Sequence, residues 1–200
     1  MKKSTFTALI IAVLASQSAF ASDWFVRGGI TSVNPKSGNG TLAALDADVG
    51  SNTQLGITFG RQFSPNVALE LVASTPFTHE VSLNGLGKVG EFKHLPPTLS
   101  LQYYFNPEGK VSPFIGAGLN YTLTFSEKSK GAIAGNKLSV ANSFGLAAQA
   151  GLRFAVSEDW DMVVDARWMD IDADVSLNGP RIGTANVDPM VYSLMWGKRF

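Results

Sequence analysis

The chain has 200 residues, 16 Lys+Arg against 16 Asp+Glu, and 45% apolar residues. A balanced charge excludes nucleic acid as a natural partner, since there is no basic surplus to neutralise phosphates. The absence of cysteine excludes a disulfide framework and any thiolate metal site.

The first element is a leader. Lys2 and Lys3 precede an unbroken apolar run over 8–15, and Ala19-Phe20-Ala21 fits the small-x-small cleavage pattern of a secretory signal. Ser16, Gln17 and Ser18 end the run well short of the roughly 20 apolar residues that a membrane helix needs. The expectation is a cleaved signal peptide over 1–21 and a mature chain over 22–200. Cleavage removes two of the 16 cations and none of the 16 acids, which leaves a formal charge of −2.

Eight segments of period-two alternation follow, each about as long as a tilted membrane strand. Residues 24–33 set Trp24, Val26 and Ile30 against Arg27 and Thr31, and 52–63 set Leu55, Ile57, Phe59 and Phe63 against Gln54, Thr58 and Gln62. Residues 67–77 set Val67, Leu69, Leu71 and Phe77 against Glu70 and Ser74, and 98–105 set Leu99, Leu101, Tyr103 and Phe105 against Ser100, Gln102 and Tyr104. In 112–125 the apolar face is Ile115, Ala117, Leu119, Tyr121, Leu123 and Phe125, and in 143–155 it is Phe144, Leu146, Leu152 and Phe154 against Gln149 and Arg153. Residues 160–171 set Trp160, Met162, Val164 and Trp168 against Asp161, Asp165 and Arg167. The last strand carries Met190, Tyr192, Leu194 and Trp196 on one face and ends on Phe200.

Short and long connections alternate. Residues 64–66, 106–110 and 157–159 are turns, whereas 34–51, 78–97, 126–142 and 172–187 are long. That asymmetry, with the apolar face outward, predicts an all-β fold: an eight-stranded antiparallel transmembrane β-barrel of the bacterial outer membrane, with short periplasmic turns and long extracellular loops. Trp24, Phe63, Phe105, Phe154, Trp160 and Phe200 gather at the short-turn end of the apolar face, and Phe77, Tyr121, Phe125 and Trp168 at the other, as two interfacial girdles.

Eight strands leave a lumen that side chains fill. The inward parity carries Arg27, Glu70, Arg153, Asp161, Asp165, Arg167 and Arg199, a set expected to pair within the barrel as a polar floor. Higher up the same parity turns apolar at Val33, Val72, Met169, Ile171 and Val191. The second long loop adds Val81, Leu83, Leu86, Val89, Phe92 and Leu95, which either extend a greasy funnel or pack on one another as a lid. His79 and His94 bracket that loop and read as rim hydrogen-bonders rather than catalytic or zinc residues. Asp170, Asp172 and Asp174 share one face and read as a solvated acidic rim.

Five segments in chain order, Asn52-Thr53-Gln54-Leu55-Gly56-Ile57-Thr58-Phe59, Ser74-Thr75-Pro76-Phe77-Thr78-His79, His94-Leu95-Pro96-Pro97-Thr98-Leu99, Pro113-Phe114-Ile115-Gly116-Ala117-Gly118-Leu119-Asn120-Tyr121-Thr122 and Met169-Asp170-Ile171-Asp172, resemble the OmpW family of outer-membrane proteins. The resemblance implies a hydrophobic channel open to the outside and closed at its base, which passes small hydrophobic molecules into the membrane through a sideways opening between strands. Val72 fits the constriction of that picture. Arg167 departs from it, because relatives can carry an aromatic residue at the inward position there.

The leading functional expectation is a non-enzymatic funnel, with no cofactor and no metal, in which Val33, Val72, Leu83, Leu86, Phe92, Leu95, Arg167, Met169 and Val191 line the ligand channel. Expected partners are small hydrophobic molecules, outer-membrane lipids including lipopolysaccharide, and the outer-membrane assembly machinery, which would read the terminal strand ending in Phe200. A structural or adhesive surface barrel and a lipid-modifying barrel enzyme are the alternatives.

Overall fold

The computed structural model describes residues 24–200, so the expected signal peptide lies outside the described residues. Fifteen strands appear among them: β1 (Trp24–Asn34), β2 (Thr41–Leu42), β3 (Leu45–Val49), β4 (Asn52–Ser64), β5 (Val67–Ser74), β6 (Phe77–Leu83), β7 (Gly87–Leu95), β8 (Thr98–Tyr104), β9 (Val111–Ser129), β10 (Leu138–Val140), β11 (Ser143–Ala155), β12 (Trp160–Met169), β13 (Asp172–Leu177), β14 (Arg181–Asn186) and β15 (Met190–Arg199). Eight of them, β1, β4, β5, β8, β9, β11, β12 and β15, pair antiparallel in that order and close through β15–β1. Trp24 and Phe200 exchange both backbone hydrogen bonds, at 3.1 and 2.9 Å, and seal the seam at its short-turn end. Closure leaves no edge in the ring, which is what hydrocarbon demands of a sheet.

The alternation sorts as the sequence predicts. Leu55 is 65% exposed and Phe144 is 67% exposed, with Ile57, Leu101, Ile115, Leu146 and Tyr192 beside them in the same outward band. Their inward neighbours Arg27, Thr58, Gln102, Gln149 and Ser193 are buried. A contiguous apolar belt of this kind is untenable in water and natural in lipid. Arg61, which breaks the outward parity, stacks on the Trp24 and Phe63 rings at 5.4 and 5.5 Å near the short-turn rim.

Phe77 corrects the expected girdle. β5 stops at Ser74, the Thr75-Pro76 step breaks the ladder, and Phe77 opens β6 facing inward at 1% exposure. Pro76 has no N–H and restricts Thr75, and the chain re-forms a strand with its alternation shifted by one residue.

The long connections also differ from plain loops. They contain β2 and β3, β6 and β7, β10 with the upper part of β9, and β13 and β14, paired in the order β10-β13-β14-β2-β3-β6-β7-β9. This crown stands on the long-loop end because each short strand carries its own apolar alternation, as in Ala47 and Val49 or Val81 and Leu83, and buries that face inward.

Inside, a small cluster of Phe25, Ala68, Tyr104, Phe114, Val163 and Met195 packs among the charged residues of the lower barrel as an aromatic plug. A long apolar cluster runs from Val33 and Val191 up into the crown. The sequence reading has only a polar floor. The plug follows from the same parity as Arg27, and glycines make room for it: a Cβ on Gly60 would sit 2.1 Å from Phe25 Cζ, and one on Gly151 would sit 2.6 Å from Phe114 Cζ.

Candidate functional site

The charged residues of the lower barrel form an ion-pair network. Arg27 grips Asp161 with two parallel bonds, Nε to Oδ1 at 2.6 Å and Nη2 to Oδ2 at 2.8 Å, the fork geometry that suits a desolvated pair. Glu70 joins two cations, accepting from Arg27 Nη1 at 3.5 Å and from Arg167 Nη2 at 3.0 Å. Arg167 Nε also donates to Gln149 Oε1 at 2.8 Å, and Asp165 lies 3.9 Å away from Arg167 Nη2. Arg199 reaches Asp161 Oδ2 at 3.6 Å from the half-exposed lower rim. Arg153 corrects the expectation of mutual pairing. It bonds the Ser112 hydroxyl at 2.7 Å and the Pro107 carbonyl, over the Tyr104 ring, and joins no ion pair among the described residues.

Above this floor the lumen turns apolar. A cavity of about 20 Å³ lies directly on Arg167 and is walled by Val33, Val72, Met169 and Val191, with Ser74 and Pro96 at its side. The Thr98 hydroxyl, with one proton to give, lies 3.1 Å from the Pro96 carbonyl and 3.5 Å from Met169 Sδ, which ties the wall together. At this level the barrel has a break. The β5–β8 ladder ends at Val72↔Thr98 and the β6–β7 ladder begins at Phe77↔His94, with no ladder bond joining 73–76 to 95–97 among the described residues. Pro76, Pro96 and Pro97 offer no N–H there, and the Asn120 side-chain amide holds the Pro96 and Pro97 carbonyls at 3.2 and 3.3 Å.

Within the crown lies a larger cavity of about 110 Å³ whose lining is wholly apolar. Leu83, Leu86 and Phe92 of the second long loop are among the residues that line it. Leu95 does not. It alternates to the other side of β7 from the buried Phe92 and His94 and is half-buried against β9, at register with Leu123. Leu42, Ala47, Val140, Val175 and Ala185 complete the wall, supplied by the other three long connections. Sequence reasoning passed over them because each lies on a strand of two to six residues, too short for its alternation to stand out.

The two histidines lie beside a third cavity. They are not at the rim: His79 is 1% exposed and His94 is 2% exposed, side by side with ring centroids 4.7 Å apart. Both line that cavity, of about 20 Å³, which shares Phe92, Val140 and Ala185 with the larger one. The His79 Nδ1 lies against the Gly50 carbonyl. Both imidazoles belong to the crown, above the eight membrane-spanning strands. Burial pushes the His79 pKa down, partly offset by its bond to Gly50, and burial with the adjacent His79 pushes that of His94 down to about 3.

The acidic rim regroups. Asp170, Asp172 and Asp188 bring their carboxylate oxygens within 4.8 Å of one another, while Asp174 instead pairs with Arg181 at 2.8 Å. Asp188 is engaged by Lys36 Nζ at 2.6 Å and by the Ile171 N–H at 3.2 Å, so this cluster is already a hydrogen-bonded rim network.

The family model for OmpW matches residues 21–200. The chain belongs to the OmpW family. Outer membrane protein W of Escherichia coli (strain K12) is 39% identical, covering 100% of both chains. Outer membrane protein AlkL of Ectopseudomonas oleovorans is 30% identical over 78% of this chain and 70% of its own. The crystal structure of OprG from Pseudomonas aeruginosa superposes with a TM-score of 0.80 at 36% identity, covering 90% of this chain and 96% of that one. This OmpW-family chain is thus an outer-membrane protein, and its exposed apolar belt faces lipid. In this OmpW-family barrel the ion pairs and the small aromatic cluster occupy the lower lumen, and the large apolar cavity lies in the crown.

Proposed function

We propose that the protein is a passive conduit that takes small hydrophobic molecules into the crown chamber and releases them sideways into the membrane. The wholly apolar cavity of about 110 Å³ above a paired, charged floor carries this reading. An apolar solute gains about 25 cal/mol for each Å² it withdraws from water, so the chamber is the favourable step. The charged layer resists an unpaired apolar guest and blocks onward flow along the axis. The break in pairing beside the lower cavity, where three prolines withhold N–H donors, is the exit. Leu83, Leu86 and Phe92 act as the receiving surface, and Val33, Val72, Met169 and Val191 as the passage that ends on Arg167.

Catalysis is not part of this reading. The His79 imidazole is oriented by a backbone carbonyl, not by the carboxylate that an acyl-transfer base requires.

Liposomes carrying the protein should admit an apolar fluorescent probe faster than protein-free liposomes, and Leu86→Ser with Phe92→Ser should remove the gain. Ser74→Trp, which fills the cavity at the break, should abolish release while the chamber still binds the probe. Uptake no faster than through protein-free liposomes overturns the proposal.

A further inference from the structure

Near the short-turn end of the ring, two cations stand on the face that otherwise meets lipid. Arg61 of β4 is at register with Trp24 of β1, and Lys198 of β15 is at register with Val26, so the two flank a single strand. Strand spacings of about 4.8 Å and a rise of about 3.4 Å per residue put their Cα atoms roughly 12 Å apart, which lets two such long side chains reach one small anion. The other outward positions of this rim, among them Val67, Tyr103, Phe105, Val111 and Phe154, are uncharged. The positive charge is therefore gathered in one sector rather than spread around the barrel.

Neither cation is neutralised by a carboxylate among the described residues. Arg61 rests on the Trp24 and Phe63 rings. The nearest strand carboxylate, Asp161, faces inward and pairs with Arg27 and Arg199, and Glu158 and Asp159 of the adjoining turn are exposed. Three of the chain's four tryptophans, Trp24, Trp160 and Trp196, stand in the same sector, on β1, β12 and β15, and indole rings favour the headgroup level of a bilayer.

Next to the pair lies a furrow. Gly28 of β1 is exposed and sits between Ile57 of β4 and Trp196 of β15, which are 52% and 48% exposed. A Cβ on Gly28 would meet only the Gly56 carbonyl oxygen, at 3.9 Å. Gly29, Gly60 and Gly197 have a packing reason to lack a side chain, since a Cβ there would come within 2.0, 2.1 and 2.1 Å of Leu194 O, Phe25 Cζ and Val26 O. Gly28 has none, and a glycine in a strand without one marks a place where something outside approaches the backbone.

We propose that this sector is a binding site for one anionic phospholipid of the phosphatidylglycerol class, with its phosphate between Arg61 and Lys198 and one acyl chain along the furrow over Val26 and Gly28. A guanidinium holds two phosphate oxygens at once, and an ammonium adds a point charge. A headgroup with its own ammonium sets a third cation against these two, so phosphatidylethanolamine fits less well. The seated lipid lies across β1, the strand that closes the ring against β15. The inference is independent of the conduit reading.

The test places the protein in nanodiscs made of equal parts phosphatidylglycerol and phosphatidylethanolamine with the same acyl chains. Native mass spectrometry identifies the last lipid retained as the disc is stripped, and amide signals of β11 and β12 report that the barrel is folded. Phosphatidylglycerol should outnumber phosphatidylethanolamine on the protein about fivefold, the order expected of one interfacial cation. Arg61→Gln with Lys198→Gln should bring the ratio to about one, and Lys198→Gln alone, at an exposed position, should lower it even where the double variant folds poorly. Gly28→Leu, which fills the furrow and leaves both charges, should cut lipid retention at least threefold. Lys110→Gln, at the same rim but outside the sector, should change nothing. A ratio near one in the unmodified protein, a ratio unmoved by Lys198→Gln, or an equal fall in Lys110→Gln overturns the site. Retention unmoved by Gly28→Leu overturns the furrow.

Discussion

The floor and the crown of this barrel handle buried polarity in opposite ways. In the floor, Arg27, Asp161, Glu70 and Arg167 satisfy one another across three strands, β1, β5 and β12. In the crown, two imidazoles stand in an apolar wall with an unpaired nitrogen each. The floor also keeps unpaired atoms, Gln149 Nε2 and Asp165 Oδ1, but holds them beside a network of paired charges, whereas the crown holds its two in apolar surroundings.

The largest expected effect comes from breaking the floor network. Arg27→Met strips Asp161 of its bidentate partner and weakens the hold on Glu70, leaving buried charge uncompensated. The barrel should lose about 3–5 kcal/mol of stability, read as an earlier midpoint of urea unfolding in detergent micelles. A midpoint equal to that of the unmodified protein would mean that the pair is dispensable.

A smaller effect sharpens the crown side. His94 has an ordinary pKa of 6.5 and a folded value of about 3, so the opened hairpin binds a proton that the closed one refuses. The stability of the β6–β7 hairpin is therefore complete above pH 6.5 and declines as pH falls towards 3, by about 1.4 kcal/mol per unit in the steep part. No carboxylate lines the cavity around the two rings to offset this. Amide hydrogen exchange at Val81 and Phe92 should accelerate, after correction for intrinsic rates, between pH 6.5 and 4.5, while amides of β11 and β12 stay protected. Uniform protection across both regions contradicts the assignment.

The smallest effect concerns the β2–β3 turn at the top of the crown. Ala43 and Ala44 both adopt positive φ, 48° and 64°, in a two-residue hairpin that ordinarily carries Asn-Gly. Ala44→Gly should relieve about 1 kcal/mol of strain, seen as slower exchange in the crown with no change in the barrel's unfolding midpoint.

Much of the lower barrel was legible residue by residue. The inward placing of Arg27, Glu70, Asp161, Asp165 and Arg167, and the apolar turn at Val33, Val72, Met169 and Val191, follow from parity alone on strands of eight residues or more. The crown was legible only in part. Leu83 and Phe92 were readable from apolar density, while Leu95 and Phe77 were misassigned where prolines interrupt the phase of the strand. The histidines read as rim groups because spacing along a chain says nothing about which hairpins fold over them.

Period-two alternation, a paired-charge interior, the aromatic end at Phe200 and the family are properties that this sequence determines by itself, because each depends on neighbours two residues apart or on motifs in order. Which cations find carboxylates, where the wall loses its ladder, and how four long connections join into one apolar chamber over two facing imidazoles were decided by tertiary structure. Those outcomes depend on residues far apart in the chain, brought together only once the ring closes.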